Sequence, residues 1–302
     1  MTGVTPSAQR VDEVAELQRE LQRAGYVAEP SLAAALLLMH DLGRPLLLEG
    51  DAGVGKTEIA KALATVRATR LIRLQCYEGL DVHAAMYEWN YQRQLLAIKL
   101  LEHDDRAAAL KEQDIFSERY LLKRPLLEAI GCEQAPVLLI DEVDRADEAF
   151  EAYLLELLSD YQMTIPELGT VRAVTRPLVV ITSNGTRELS DALWRRCLYQ
   201  YIDYPAFDKE LAIVEIKLPQ AAGEFARQVV EFVQSVRRME LQKKPGVAET
   251  LDWAAALLRM GISVIDDDGA LRVMDTLSAL IKTRDDRAGF TREVVARLAA
   301  TC

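Results

Sequence analysis

The sequence predicts an α/β fold: a five-stranded parallel sheet flanked by helices, followed by a C-terminal all-helical domain. Three observations predict it. The apolar stretch LLLE at 46–49 runs into a glycine-rich turn and a helix-like segment, EIAKALATV. Strand-like and helical stretches then alternate, as a parallel sheet with crossover helices requires. Beyond Pro205 the periodicity is helical throughout.

In order, apolar Val11, Val14, Leu17 and Leu21 mark a helix over 7–24 that Gly25 stops. A second helix over 31–42, with Ser31 as its N-cap, leads to the strand 46–49. After the glycine-rich turn come a helix to about residue 68 and a strand at 71–76. The stretch 77–110 is less regular and reads as an insertion. Its Tyr87, Trp89 and Tyr91 fit one buried strand face, or an exposed loop that grips a partner. A helix over 118–130 leads to a strand at 136–140 and a helix at 147–158. A β-hairpin at 162–175, turning near 167–170, precedes a core strand at 177–182. A short helix through Trp194 and a fifth parallel strand at 197–204 complete the first domain. Residues 1–205 and 206–302 are thus the expected domains. Helices are expected at 208–216, 221–241, 248–260, 269–281 and 291–300, with Asp266, Asp267 and Asp268 in a solvated turn.

Composition narrows the function. No apolar run among the 302 residues reaches the roughly 18 of a membrane span, and no secretory signal pattern is present. Lys and Arg number 36 against 47 Asp and Glu; the net charge of -11 repels nucleic acid and anionic membranes. Cys76, Cys132, Cys197 and Cys302 form no CxxC pair, which fits the cytoplasm, and a buried cysteine acts as a small hydrophobe. His40, His83 and His103 lack ligand spacing and read as ordinary helix residues.

Gly50, Asp51, Ala52, Gly53, Val54, Gly55, Lys56 and Thr57 carry the spacing of a phosphate-binding loop, with Glu58 following. Glycines allow positive φ and turn backbone N–H groups inward at a helix N-terminus, where nucleotide phosphates bind. Lys56 reaches the β and γ phosphates and the Thr57 hydroxyl ligates Mg²⁺. A nucleotide with Mg²⁺ is therefore the expected ligand.

A second acidic site sets the class. Four apolar residues carry Asp141 to the sheet edge, where it holds Mg²⁺ through water. Glu142 can orient the water attacking the γ-phosphate, or merely cap the strand end. Asn184 follows a further strand, where it can sense the γ-phosphate; Asn184-Gly185 is also a turn signal. Arg195 and Arg196 can stabilise transition-state charge or form surface ion pairs. Glu142, Asn184 and the arginine pair disfavour a small-molecule kinase.

GDAGVGKT, VLLIDEVD, ITSN and LWRRC, in this order before a helical domain, resemble the AAA+ ATPases. The hairpin QMTIPELGTVRAVTRP, the insertion and LLLEGDAGVGKTE are similar to the MoxR family. GRPLLLEGDAGVGKTE and AETLDWAAALL are most like the CoxD-type accessory ATPases of molybdenum hydroxylases such as carbon monoxide dehydrogenase. The resemblance implies a ring homo-oligomer, usually a hexamer, with ATP at subunit boundaries. Lys56 and Thr57 would bind phosphate and Mg²⁺, Asp141 and Glu142 would be the Walker B pair, and Asn184 sensor 1. Arg196, or alternatively Arg195, would be the arginine finger entering the neighbour's site. It also implies remodelling of a metalloenzyme client through a von Willebrand A domain adaptor, with the surroundings of Trp89 and Gly169 facing the client. Hydrolysis would move the helical lid against the core. An AAA+ helicase or loader acting on nucleic acid is the competing reading. The chain departs from MoxR at 246–251, where GVAETL puts Thr250 at the position of the sensor 2 arginine, so no sensor 2 is assigned.

Overall fold

The computed structural model describes residues 6–101, 115–265 and 270–300. His103, Cys302 and the acidic stretch at 266–268 lie outside them. The chain forms two compact units, one of Met1–Pro30, Gly50–Ala62 and Tyr201–Cys302, the other of Ser31–Glu49 and Leu63–Gln200.

The chain runs α1 (Pro6–Arg23), α2 (Pro30–Leu42), β1 (Leu46–Glu49), α3 (Lys56–Val66) and β2 (Leu71–Gln75). These elements agree with the sequence reading to within a residue or two. Ser31 is not a cap, because α2 begins on Pro30, whose fixed φ suits a first helical turn. Next come α4 (Val82–Met86), β3 (Tyr87–Trp89), α5 (Tyr91–Leu101), β4 (Leu121–Lys123) and α6 (Pro125–Ile130). The helix expected over 118–130 is instead a short 3-10 turn at Glu118–Tyr120, a strand and a helix. Pro125 forces Arg124 into extended backbone, and the preceding residues pair antiparallel with β3. Tyr87 and Trp89 are buried on that small ribbon, whereas Tyr91 opens a helix and is exposed.

The remaining core elements are β5 (Val137–Asp141), α7 (Glu148–Asp160), β6 (Gln162–Ile165), β7 (Gly169–Arg172), β8 (Leu178–Ser183), α8 (Asp191–Arg196) and β9 (Leu198–Tyr201). The main sheet has the order β2-β5-β8-β1-β9, and β2–β5, β5–β8 and β8–β1 are parallel. Central β5 is buried along its whole length, so its side chains can be apolar on both faces until the last residue. β6 and β7 form the expected hairpin. Leu47, Ile72, Leu74, Leu138, Ile140, Val179 and Ile181, all on one face of the sheet, make one core with apolar side chains of α6 and α7.

Helices α9 (Phe207–Lys217), α10 (Glu224–Arg237), α11 (Val247–Arg259), α12 (Ala270–Thr276), α13 (Arg284–Ala288) and α14 (Arg292–Ala299) follow. The helix expected over 221–241 is shorter, because a turn at Pro219–Ala221 and Gly223 at φ +87° precede it. The helix expected to reach residue 281 ends at Thr276, and α13, capped by the Thr283 hydroxyl, was not foreseen. Trp253 and Phe232, 4.7 Å apart, centre this helical core. One ion pair is sealed within it. Arg237 donates from Nη1 and Nη2 to the two Glu210 oxygens at 2.5 and 2.6 Å, and from Nε to the Pro245 carbonyl at 2.7 Å. Thr250, fully buried, donates to Glu210 at 2.7 Å. Removing one partner of such a pair strands a charge, costing about 3–5 kcal/mol, whereas replacing both is far milder. Arg237→Leu should therefore lower stability in urea unfolding by about that much, and Glu210→Met with Arg237→Leu should recover most of the loss. A single variant as stable as the natural chain would refute this reading.

Candidate functional site

The glycine-rich loop is shaped by close backbone approach. At Gly50, with φ +156°, a Cβ would stand 2.1 Å from the Ile202 carbonyl oxygen, so no other residue fits. Gly53 and Gly55 have φ of +81° and +93°, the left-handed backbone that glycine tolerates. A Cβ on Gly55 would meet nothing within 4 Å, so the loop leaves open space there. Lys56, at the start of α3, is buried and donates to the carbonyls of Gly50 and Asp51 at 2.6 and 2.7 Å.

The N-terminus of α11 sits on this loop. The Val247 N–H donates to the Gly53 carbonyl at 2.9 Å, and a Cβ on Gly246 would come within 2.8 Å of the Gly53 backbone. Glu249 folds back to accept from the Gly246 N–H at 3.0 Å, which fixes the first turn of the helix. Tyr204 adds a second link. Burial, the charge of Asp51 and a hydrogen bond with Asp51 push its hydroxyl up to about 12, and its ring lies 5.1 Å from the Arg237 guanidinium. Thr250 thus faces Glu210 and Arg237 inside the helical core rather than the loop.

In the other unit, Asp141 ends β5 and is buried. Its Oδ1 accepts from the Thr182 hydroxyl at 2.5 Å, and its Oδ2 from Arg73 Nη2 at 2.5 Å and Nε at 3.1 Å. The Thr182 oxygen in turn accepts from the Glu142 N–H at 2.9 Å. Glu142 has φ +55°, a left-handed conformation uncommon for a residue with a side chain and often found at functional positions. Its carboxylate is 3.2 Å from Arg145.

Buried Asp144 holds the loop that carries Asn184. It accepts from the N–H groups of Asn184 and Thr186 at 3.2 and 3.0 Å and from the Thr186 hydroxyl at 2.6 Å. Burial opposes its charge, but these hydrogen bonds outweigh that and hold the carboxyl below the usual carboxylate range. Buried Glu151 fastens the loop's far end, pairing with Arg187 and accepting from the Ser190 N–H at 2.9 Å. Neither carboxylate was singled out from the sequence. Their signal is weak, since each acts on a loop about forty residues away in the chain.

The two arginines of LWRRC differ. Arg196 donates to the Ser159 hydroxyl and, at 3.2 Å, to the Ala192 carbonyl, which ties it to α7 and α8. Arg195 is exposed, with no side-chain hydrogen bond or ion pair among the described residues. Arg44 gathers the carbonyls of Arg195, Arg196 and Cys197 and so closes the end of α8. Burial pushes the Cys76 and Cys197 thiols up to about 12, as for inert apolar side chains.

The profile of the AAA domain (dynein-related subfamily) matches residues 45–197, half of the chain. The chain belongs to this AAA family. Over 84% of its length this AAA ATPase is 25% identical to gas vesicle ATPase GvpN1 of Halobacterium salinarum, of which it covers 73%. It is 26% identical to an uncharacterized Staphylococcus aureus protein, covering 84% of this chain and 88% of that one. A Thermotoga maritima RuvB Holliday junction branch migration motor is 18% identical with a TM-score of 0.44, covering 88% of this chain and 72% of that one. AAA ATPases hydrolyse ATP with Mg²⁺ and commonly form rings. The loop, open at Gly55, suits a phosphate, and in its own unit the Asp141 carboxylate offers oxygens of the kind Mg²⁺ takes. No helix of the described residues is long and apolar enough to cross a membrane.

Because the folded Asp144 carboxyl is held low, its contribution to stability is complete above the ordinary carboxylate value, about 4, and fades as pH falls below it. Asp144→Asn does not titrate. Its stability in urea should lie below that of the natural chain at pH 7, by about 1–3 kcal/mol, and the two should converge as pH falls below about 4. Parallel pH curves would contradict the assignment.

Proposed function

We propose that the chain is a MoxR-type ATPase that turns ATP hydrolysis in a ring of identical subunits into remodelling of a client protein. Lys56 and the loop N–H groups hold the phosphates, with the Thr57 hydroxyl and the Asp141 carboxylate as oxygen donors toward Mg²⁺, which neutralises phosphate charge when bound. Glu142 orients and deprotonates the attacking water, and Asn184 supplies an amide to the γ-phosphate. Exposed Arg195 takes the arginine-finger role in preference to Arg196, whose guanidinium is already engaged. A finger given by one subunit to the next makes hydrolysis depend on assembly.

The observation that carries this reading is the seat of α11 on Gly53, with backbone against backbone at Gly246. A change in the loop's phosphate load cannot be absorbed by side chains at that contact, so it passes to the helix and the lid it belongs to. The client is a metalloenzyme, with a molybdenum-containing hydroxylase such as carbon monoxide dehydrogenase as the specific proposal, and a von Willebrand A domain protein as adaptor. Buried Trp89 leaves client contact to the exposed Tyr91, Leu95 and Leu96 of α5.

Glu142→Gln should bind ATP as the natural chain does while turning over at least about a hundredfold more slowly. Held in ATP in the native host, it should retain the molybdenum hydroxylase or the adaptor in an affinity pull-down. Unchanged hydrolysis would remove Glu142 from the site. Recovery of nucleic acid or replication proteins instead would replace the client reading by a helicase or loader.

A further inference from the structure

Arg73 belongs to no motif, yet its guanidinium lies directly on the Asp141 carboxylate. The parallel register sets Gln75 opposite Asp141 and Arg73 opposite Leu139, so Arg73 stands one diagonal step away on the same face. From there both Nη2 and Nε reach Oδ2, at 2.5 and 3.1 Å, and Nη2 also reaches the Gln75 side-chain oxygen at 2.5 Å. The partners differ in exposure. The Asp141 side chain is 5% exposed and that of Arg73 is 49%. The carboxylate is therefore fixed, with Thr182 on its other oxygen, while the guanidinium can swing into solvent without backbone movement.

A guanidinium on Oδ2 is a positive charge where a divalent cation, or a water that it holds, needs a carboxylate oxygen. Mg²⁺ demands near-octahedral oxygen ligands and keeps its waters, so it does not share that oxygen with a cation at hydrogen-bond distance without repulsion. We propose that Arg73 is a displaceable counter-cation on Asp141, a positioning residue that holds the carboxylate in place and sets the Mg²⁺ concentration at which the site takes up nucleotide. This rests on the reading of Asp141 as a carboxylate toward Mg²⁺. Arg73 screens Asp141 from water and from stray cations, and leaves Oδ2 when Mg²⁺ arrives with ATP.

The test is the binding of a fluorescent ATP analogue to the full chain, titrated with free Mg²⁺. Arg73→Gln keeps a donor but no charge, and its Mg²⁺ midpoint should fall about two- to fivefold, the range for loss of a half-exposed ion-pair partner. Arg73→Lys should stay near the natural midpoint, which a merely structural role would not require, and Arg73→Met should follow the glutamine variant if that one does not fold. A midpoint that is unchanged or raised in Arg73→Gln or Arg73→Met overturns the proposal. Asp141→Asn separates the two readings. If it abolishes or strongly raises the Mg²⁺ requirement, the site assignment stands and Arg73 alone is judged; if it changes nothing, Asp141 is not the Mg²⁺ carboxylate and the proposal falls with it.

Discussion

A carboxylate placed at the end of a fully buried strand needs partners, and the register of the parallel sheet supplies them. Asp141 follows four apolar residues with no exposure, and alone it would be an unpaired charge in a low-dielectric setting. β8 on one side brings Thr182 to Oδ1, and β2 on the other brings Arg73 to Oδ2. A one-residue slip of either strand would turn the partner it carries to the opposite face. The same threonine ties down the Glu142 N–H, so the strand pairing also fixes the backbone turn of Glu142. Asp144 then reaches the loop after β8 and positions Asn184.

The other unit is organised by contact between two glycines. Gly53 and Gly246 meet without side chains, and Glu249 closes the α11 turn above them. Behind that contact, Arg237 holds Glu210, Thr250 and the Pro245 carbonyl together, and its face lies on the ring of Tyr204. Tyr204 returns to Asp51 through its hydroxyl. The loop is thereby gripped from two directions by residues of the helical unit. This arrangement explains the departure at Thr250: a side chain that completes a buried ion pair cannot also be a guanidinium pointing at a nucleotide.

Much of this was legible in the sequence where chemistry and spacing are local. The glycine-rich loop, the apolar run before Asp141 and the hairpin are contiguous patterns, and all lie within about three residues of the expected positions. Errors arose where distant segments decide. Residues 121–123 look helical until β3 offers an edge to pair with, and Pro125 then starts a new helix. Trp89 belongs to a buried ribbon face, but Tyr91, in the same alternation, is exposed on a helix. Arg73, Asp144, Glu151 and Arg237 escaped notice because each acts on a group far along the chain, and no spacing rule links them. The arginine pair was legible as a pair, and only packing distinguishes the engaged Arg196 from the exposed Arg195.

In the proposed mechanism the loop at Gly50 to Thr57 is the phosphate site, with Lys56 as its charge. Calorimetric titration of Mg-ATP into the natural chain and into Lys56→Ala tests it directly. Saturable binding to the natural chain is expected, with an affinity at least about tenfold weaker for the variant through loss of a charge-assisted contact to phosphate. Equal affinity of the two proteins would contradict it.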